Sequence, residues 1–199
     1  MDLLTKFDNI EFEEIKVIED LNCFNADNKR KFMIKKLLLS IFVCSVAYAE
    51  VGTLSKVIDG DTVKFGQTTC RLAYIDTPES RKNKRLKRIV KSCSGVTINT
   101  MIAAGKKSTS YLKAKLKVGK QYKYTVVDID RYKRSVCIIM INNRTSINQQ
   151  LVKDGYAVPY YRYIKSDKRN MYRKLSKEAK RLNEGLYKSH SSSINCLEN

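Results

Sequence analysis

The chain reads VGTLSKVIDGDTVKF over residues 51–65, and this run has the pattern of a tight β-hairpin. Residues 51–58 are rich in β-branched types, which favour strands. Asp59-Gly60 is a dipeptide typical of short hairpin turns. Thr62-Val-Lys-Phe65 then returns with the alternation of polar and apolar residues that indicates a half-buried strand. The run therefore predicts two antiparallel strands joined at Asp59-Gly60.

The rest of the chain continues this β-rich pattern and then adds helices. Gly66-Gln67 predicts a second turn, and a third strand is expected over 69–75. The basic, irregular residues 80–95 are predicted to form a loop. Further along we expect a helix over 103–117, strands over 122–129 and 135–141, and helices over 146–154 and 170–184. This order predicts an α+β fold, a five-stranded OB-fold β-barrel with three packed helices.

The N-terminal part has the organisation of an export signal. From Met33 it reads Met-Ile-Lys-Lys, then an apolar run over 37–47, then Ala47-Tyr-Ala49. A basic start, a short apolar segment and an A-x-A site in that order predict a signal peptide over 33–49 and a secreted or periplasmic protein. The apolar run is shorter than the ~20 residues of a spanning helix. An uncleaved signal that anchors the protein in a membrane is the alternative.

The signal peptide divides the chain into four segments. Residues 1–32 precede it, and we interpret them as an over-extended reading frame with translation starting at Met33; a weakly amphipathic helix is the alternative. The folded domain is expected over 50–188. Residues 189–199 are expected to form a C-terminal tail.

The charge of the chain points to a polyanionic partner. Lys and Arg total 39 against 20 Asp and Glu, a net charge of +19. Residues 1–49 hold seven basic and eight acidic residues, so the excess lies in the predicted domain. Such an excess attracts nucleic acid or an anionic membrane surface. The single histidine, His190, argues against histidine-based catalysis.

Four of the six cysteines follow the predicted signal peptide: Cys70, Cys93, Cys137 and Cys196. Export permits disulfides, and four cysteines allow three complete pairings that the sequence does not separate. Free buried thiols are the alternative for Cys70 and Cys137, which lie in apolar runs.

Three segments combine residue types that cleavage of a phosphodiester needs: 59–62, 71–79 and 130–134. Neighbouring carboxylates can hold a hard cation through oxygen ligands. Guanidinium groups bind phosphate oxygens in a bidentate manner. A further carboxylate can orient or deprotonate water. Each segment taken alone is also typical of an ordinary turn or strand end.

Five ordered motifs together resemble a known family. They are Ile58-Asp-Gly-Asp-Thr-Val63, Arg71-Leu-x-x-Ile-Asp-Thr-Pro-Glu79, Tyr132-x-Arg134, Ser146-Ile-Asn-x-x-Leu-Val-x-x-Gly-Tyr-Ala157 and Ala179-Lys-x-x-x-x-Gly-Leu-Tyr187. Over 51–187 the chain resembles the staphylococcal-nuclease-like (thermonuclease) domain. The resemblance implies a calcium-dependent endonuclease that hydrolyses DNA and RNA to 3′-phosphorylated products. A non-catalytic nucleic-acid-binding protein on the same barrel is the alternative.

The resemblance also implies roles for individual residues. Asp61 and Asp76 are expected to bind Ca²⁺ through their carboxylates, and Thr77 through its carbonyl oxygen. Arg71 and Arg134 are expected to bind the scissile phosphate and stabilise the charge that develops on it.

The same resemblance assigns the water and the substrate. Glu79 is expected to orient or deprotonate the attacking water, and Tyr132, Tyr161 and Tyr163 to pack against the nucleotide. The basic residues of 80–91 are expected to attract DNA or RNA, with single strands preferred. We expect a monomer without an obligate protein partner.

Two positions set conditions on this assignment. Arg71 and Asp76 are five residues apart, so in a regular strand their side chains lie on opposite faces. A shared site requires the strand to end or bulge between Ala73 and Ile75. Lys133 stands where the family pattern has glycine, directly before Arg134.

Overall fold

Residues 49–198 are described by a computed structural model. Seven strands and six helices follow one another along this part of the chain. They are β1 (Ala49–Asp59), β2 (Thr62–Phe65), β3 (Thr68–Leu72), β4 (Ile75–Asp76), α1 (Lys84–Ser92), α2 (Ile98–Lys115), β5 (Gln121–Ile129), β6 (Ser135–Ile139), α3 (Ile147–Lys153), β7 (Val158–Pro159), α4 (Ser166–Arg181), α5 (Gly185–Ser189) and α6 (Ser191–Glu198).

Five of the strands close into a barrel with the order β1-β2-β3-β6-β5. Neighbouring strands are antiparallel except β3 and β6, which run parallel with Arg71 opposite Val136. The short strands β4 and β7 form a separate antiparallel pair beside it. The predicted fold, a five-stranded OB-type barrel in an α+β domain, is confirmed.

The barrel interior is apolar and cross-linked. Leu54, Val63 and Ile139 are fully buried, because alternate residues of a strand face the interior. A disulfide between Cys70 and Cys137 joins β3 to β6, and both residues are fully buried. The idea that these two cysteines are free thiols is therefore wrong.

The helical part differs from the sequence prediction in several places. Residues 84–92, predicted as loop, form α1 because Asn83 caps the helix and Leu86 enters the core. Helix α2 begins at Ile98 rather than 103, since Thr97 and Thr100 form a reciprocal capping box there. The third strand ends at Leu72, and the strand predicted over 135–141 ends at Ile139.

The C-terminal residues also carry more structure than predicted. Three packed helices were expected, and the described residues form six. Most of the expected tail belongs to α6, in which Ile194 is fully buried. A second disulfide, between Cys93 and Cys196, connects the end of α1 to α6. Of the three possible pairings of the four cysteines, the structure therefore contains 70–137 with 93–196.

The predicted signal peptide lies outside the described residues except for Ala49, which is the first residue of β1. The interpretation of residues 1–32 also lies outside them. Among residues 49–198, no helix is long and apolar enough to cross a membrane.

Candidate active site

The turn between β1 and β2 fixes the position of Asp61, one of the predicted metal ligands. The backbone carbonyl of Asp61 accepts a hydrogen bond from the Leu72 amide at 2.7 Å, and its side chain accepts one from Thr62 Oγ1 at 2.8 Å. Gly60 makes this arrangement possible, because a Cβ there would lie 2.9 Å from Thr77 Oγ1 and 2.8 Å from Ser108 Cβ. The turn therefore packs directly against Thr77 and helix α2.

The chain leaves the barrel between Arg71 and Asp76, as the catalytic assignment required. Strand β3 ends at Leu72, and Tyr74 has a φ of +69°, in the left-handed region. The buried Asn148 side chain holds this corner by donating to the carbonyls of Ala73 at 3.0 Å and Cys137 at 2.9 Å. The corner interrupts the alternation of side chains between the two faces of the strand. The side chains of Arg71 and Asp76 can therefore reach the same site.

Arg71 connects the two aspartates. Its Nη1 donates to Asp61 Oδ2, and its Nη2 donates to Asp76 Oδ1 at 3.0 Å. Nη2 also lies 3.4 Å from the carbonyl oxygen of Ile75. One guanidinium group thus spans both predicted metal ligands, which places the two carboxylates close together.

Glu79 joins the same cluster through a second arginine. Arg85, in the first turn of α1, donates through Nη2 to Asp76 Oδ2 and through Nη1 to Glu79 Oε1. The Asn83 side chain donates to Glu79 Oε2 at 2.6 Å. Both carboxylate oxygens of Glu79 are therefore hydrogen-bonded to residues at the start of α1.

Arg85 is not among the residues predicted for the site, although the sequence contains a signal for it. Leu86, Ile89, Val90 and Cys93 recur at the spacing of one helical face, directly after Asn83, a favoured N-cap residue. The basic residues between them gave the segment the composition of a loop. A helix that begins after Asn83 has Arg85 in its first turn, where the side chain reaches Asp76 and Glu79.

The electrostatics of the cluster follow from burial and from these ion pairs. Burial raises the pKa of Asp76, Arg85 and Arg71 oppose that effect, and the Asp61 carboxylate adds to it. Burial alone lowers the pKa of Arg71, but the carboxylates of Asp61 and Asp76 outweigh it, so this pKa is raised. Arg71 therefore stays positively charged.

The remaining predicted catalytic residue, Arg134, has a different partner. Its side chain donates to Asp130 Oδ2 from Nε at 2.7 Å and from Nη2 at 2.6 Å. The β3–β6 register places it next to β3, one residue before Ser135, which pairs with Cys70. The backbone thus brings Arg134 beside the strand of Arg71, while the guanidinium group is held in its own turn.

The turn 130–134 is organised by Asp130. Its Oδ1 accepts hydrogen bonds from the amides of Tyr132 at 2.9 Å and Arg134 at 3.0 Å. Burial opposes ionisation, but these hydrogen bonds and the Arg134 guanidinium outweigh it and lower the pKa of Asp130. Lys133, in the position of the family's glycine, has a φ of +61°. The lysine therefore adopts a conformation that favours glycine.

The three predicted substrate-contacting tyrosines lie in two places. Tyr132 is 65% exposed, and the Arg134 guanidinium carbon lies 5.5 Å from the centre of its ring. Tyr161 and Tyr163 follow β7, whose Val158 pairs with Asp76. Tyr163 is 58% exposed, whereas Tyr161 is half-buried against the main core. The pairing of β4 with β7 therefore carries the 161–163 segment to the side of the barrel that holds Asp76.

The donor set of the cluster suits a hard cation. Among the described residues, the ion pairs of Asp61, Asp76 and Glu79 are made with two guanidinium groups, those of Arg71 and Arg85. Within residues 49–198, no three Asp, Glu, His or Cys side chains converge as a metal-binding group. Asp61 and Asp76, which share Arg71, offer two neighbouring carboxylates, and carboxylate oxygens are donors of the kind calcium prefers.

Comparison with known proteins agrees with this geometry. A family model described as staphylococcal nuclease homologue matches residues 69–189. Endonuclease YhcR of Bacillus subtilis (strain 168) is 27% identical over 117 residues, which are 55% of this chain and 9% of that protein. The chain therefore spans less than a tenth of that relative's length. With more than half of its residues matched by the family model, the chain belongs to the staphylococcal nuclease homologue family.

Proposed function

We propose that the chain is an exported, calcium-dependent endonuclease that hydrolyses DNA and RNA to 3′-phosphorylated products. The observation that carries the proposal is a cluster of ion pairs. Arg71 pairs with both Asp61 and Asp76, and Glu79 pairs with the second arginine that binds Asp76. Family membership and the similarity to an endonuclease support the hydrolytic part. The calcium and the export rest on the donor set and on the predicted signal peptide.

The proposed metal site uses Asp61, Asp76 and the carbonyl of Thr77. Bound calcium would supply positive charge next to the reacting phosphate. The two carboxylates are almost fully buried and fixed by the β1–β2 turn and by the corner at Tyr74. Fixed ligands of this kind keep the charge in one place during the reaction, which is the main requirement of phosphoryl transfer.

Arg71 and Arg134 are proposed to bind the phosphate. Arg71 is held against the carboxylates, and with its charge retained it can stabilise the negative charge that develops on the phosphate oxygens. Arg134 has to turn from Asp130 to reach the same phosphate. Since the Arg134 side chain is partly exposed, substrate phosphate can compete with Asp130 for it.

Glu79 is proposed to orient the attacking water, after exchange of at least one of its present hydrogen bonds. Tyr161, Tyr163 and Tyr132 are proposed to stack on single-stranded bases, which every base permits. The basic residues of 80–91 attract the substrate backbone, so cleavage is expected to weaken as salt rises. The enzyme is proposed to act as a monomer.

Cleavage of labelled single-stranded DNA by the purified chain tests the proposal. We expect cutting with Ca²⁺, none with an excess of chelator, and products whose 3′ ends become extendable only after phosphatase treatment. Asp76→Asn should bind DNA but fail to cut, because it removes one metal-binding charge. Tight binding without cutting in any divalent cation would instead support the non-catalytic alternative.

Export is tested separately by fractionating the producing cell. Protein beginning at Glu50 in the medium or periplasm is expected. Protein retained in the membrane fraction with residues 33–49 attached would favour the anchored alternative.

A further inference from the structure

Arg85 occupies the candidate site from outside the barrel. Its guanidinium group bonds to Asp76 Oδ2 and Glu79 Oε1, while Arg71 takes Asp76 Oδ1. Both oxygens of the Asp76 carboxylate are therefore paired with guanidinium groups. An ion that binds Asp76 therefore competes with the guanidinium groups for the same two oxygens.

The surrounding structure holds Arg85 in this position. Asn83 accepts a hydrogen bond from the Leu86 amide at 2.7 Å, which caps α1, and donates to Glu79 at 2.6 Å. Leu86 is fully buried in a cluster with Met101. At its other end α1 is fixed by the Cys93–Cys196 disulfide. A helix anchored at three points directs the arginine to the carboxylates.

The two arginines differ in how easily they can move away. The Arg71 side chain is 17% exposed and makes contacts with Asp61, Asp76 and the Ile75 carbonyl from within a barrel strand. The Arg85 side chain is 36% exposed and starts from the first turn of a surface helix. Because a long, half-exposed side chain can be solvated elsewhere, Arg85 is the one that an incoming cation displaces.

We propose that Arg85 is an internal cation that competes with calcium for Asp76 and thereby sets the calcium concentration at which the site fills. This inference rests on the proposed function, since it takes Asp76 as a metal ligand. In the metal-free protein Arg85 neutralises Asp76 and Glu79, which would otherwise repel each other. Filling of the site releases the arginine from Asp76, so removal of the arginine strengthens calcium binding.

Titration calorimetry of calcium into the purified full chain tests the inference without using activity. We expect Arg85→Gln to lower the Kd for Ca²⁺ by on the order of tenfold, because one hydrogen bond between charged groups contributes about that factor. Arg88→Gln is the matched control. It removes the same charge from an exposed position of α1 and should change the Kd by less than about twofold.

A second variant tests the role of the positive charge, and a separate measurement checks folding. Arg85→Lys keeps a cation and should stay within about threefold of the wild-type Kd, and far-UV circular dichroism checks that each variant is folded. Equal or weaker calcium binding by folded Arg85→Gln, or equal tightening in Arg85→Lys and Arg85→Gln, would overturn the inference. If neither the wild type nor Arg85→Gln binds calcium, the proposed calcium dependence fails together with it.

Discussion

Replacement of Gly105 by alanine should disturb both the stability and the site, because α2 lies against the backbone of the 77–79 segment at this residue. A Cβ on Gly105 would lie 2.4 Å from the carbonyl carbon and oxygen of Glu79, and 2.6 Å from the carbonyl oxygen of Pro78. Ordinary contacts begin near 3.4 Å. The helix and this segment must therefore separate by about 1 Å, judged from the excess overlap.

The expected loss of stability is the difference of two effects. Overpacking of this kind costs about 1–3 kcal/mol. Alanine recovers about 1 kcal/mol through its higher helix propensity. We therefore expect a net loss of about 0–2 kcal/mol in urea unfolding, the difference of those two effects.

We expect the loss of activity to exceed the loss of stability when both are expressed as free energies. The displaced segment carries Thr77, the proposed metal ligand, and Glu79, the residue proposed to orient the water. A 1 Å misplacement of catalytic groups costs on the order of 100-fold in rate. The assay is kcat/KM for single-stranded DNA at saturating calcium. Ser110→Ala, at an exposed position of the same helix, is the control and should stay within about 0.5 kcal/mol and near full activity. A Gly105→Ala variant with raised stability and full activity would refute the close backbone contact.

Two further predictions concern the barrel and its turn. Replacing Cys70 and Cys137 by alanine should lower the free energy of unfolding by about 4 kcal/mol, since their disulfide closes a separation of 67 residues. Urea midpoints measure this, and wild type that is insensitive to reductant under the same conditions would contradict it. Lys133→Gly should raise stability by about 0.5–1 kcal/mol, because glycine removes the strain of a φ of +61° but adds unfolded-state freedom. Thermal unfolding checks it against Arg131→Gly, which lacks a positive φ and should destabilise.

The barrel could be predicted from the sequence because its signals are local. Asp59-Gly60 and the alternation in 62–65 specify a hairpin before any distant residue is considered, and the structure pairs Asp59 with Thr62. The end of β3 at Leu72 differs from the strand predicted over 69–75, although a shared site for Arg71 and Asp76 already required an end or bulge before Ile75. In each case neighbouring residues contain the information.

The parts that could not be predicted depend on contacts between distant residues. The disulfide pairing depends on where α6 packs, which no spacing among four cysteines determines. The partner of Arg134 is Asp130 because the turn gives that carboxylate two backbone amides as well as the guanidinium group. A family motif indicates the arginine's role in a complex, but its partner without substrate depends on the local turn.

The two disulfides overlap along the chain, since Cys93 lies inside the 70–137 loop and Cys137 lies inside the 93–196 loop. A single backbone cut between residues 70 and 136 leaves the two pieces joined through the first disulfide, and a cut between 137 and 195 leaves them joined through the second. Exposed Lys and Arg residues in turns such as 130–134 are natural targets of trypsin-like proteases. Every residue from Arg71 to Tyr163 therefore stays covalently attached to the rest of the domain after one such cleavage, so a nicked molecule can keep its barrel assembled.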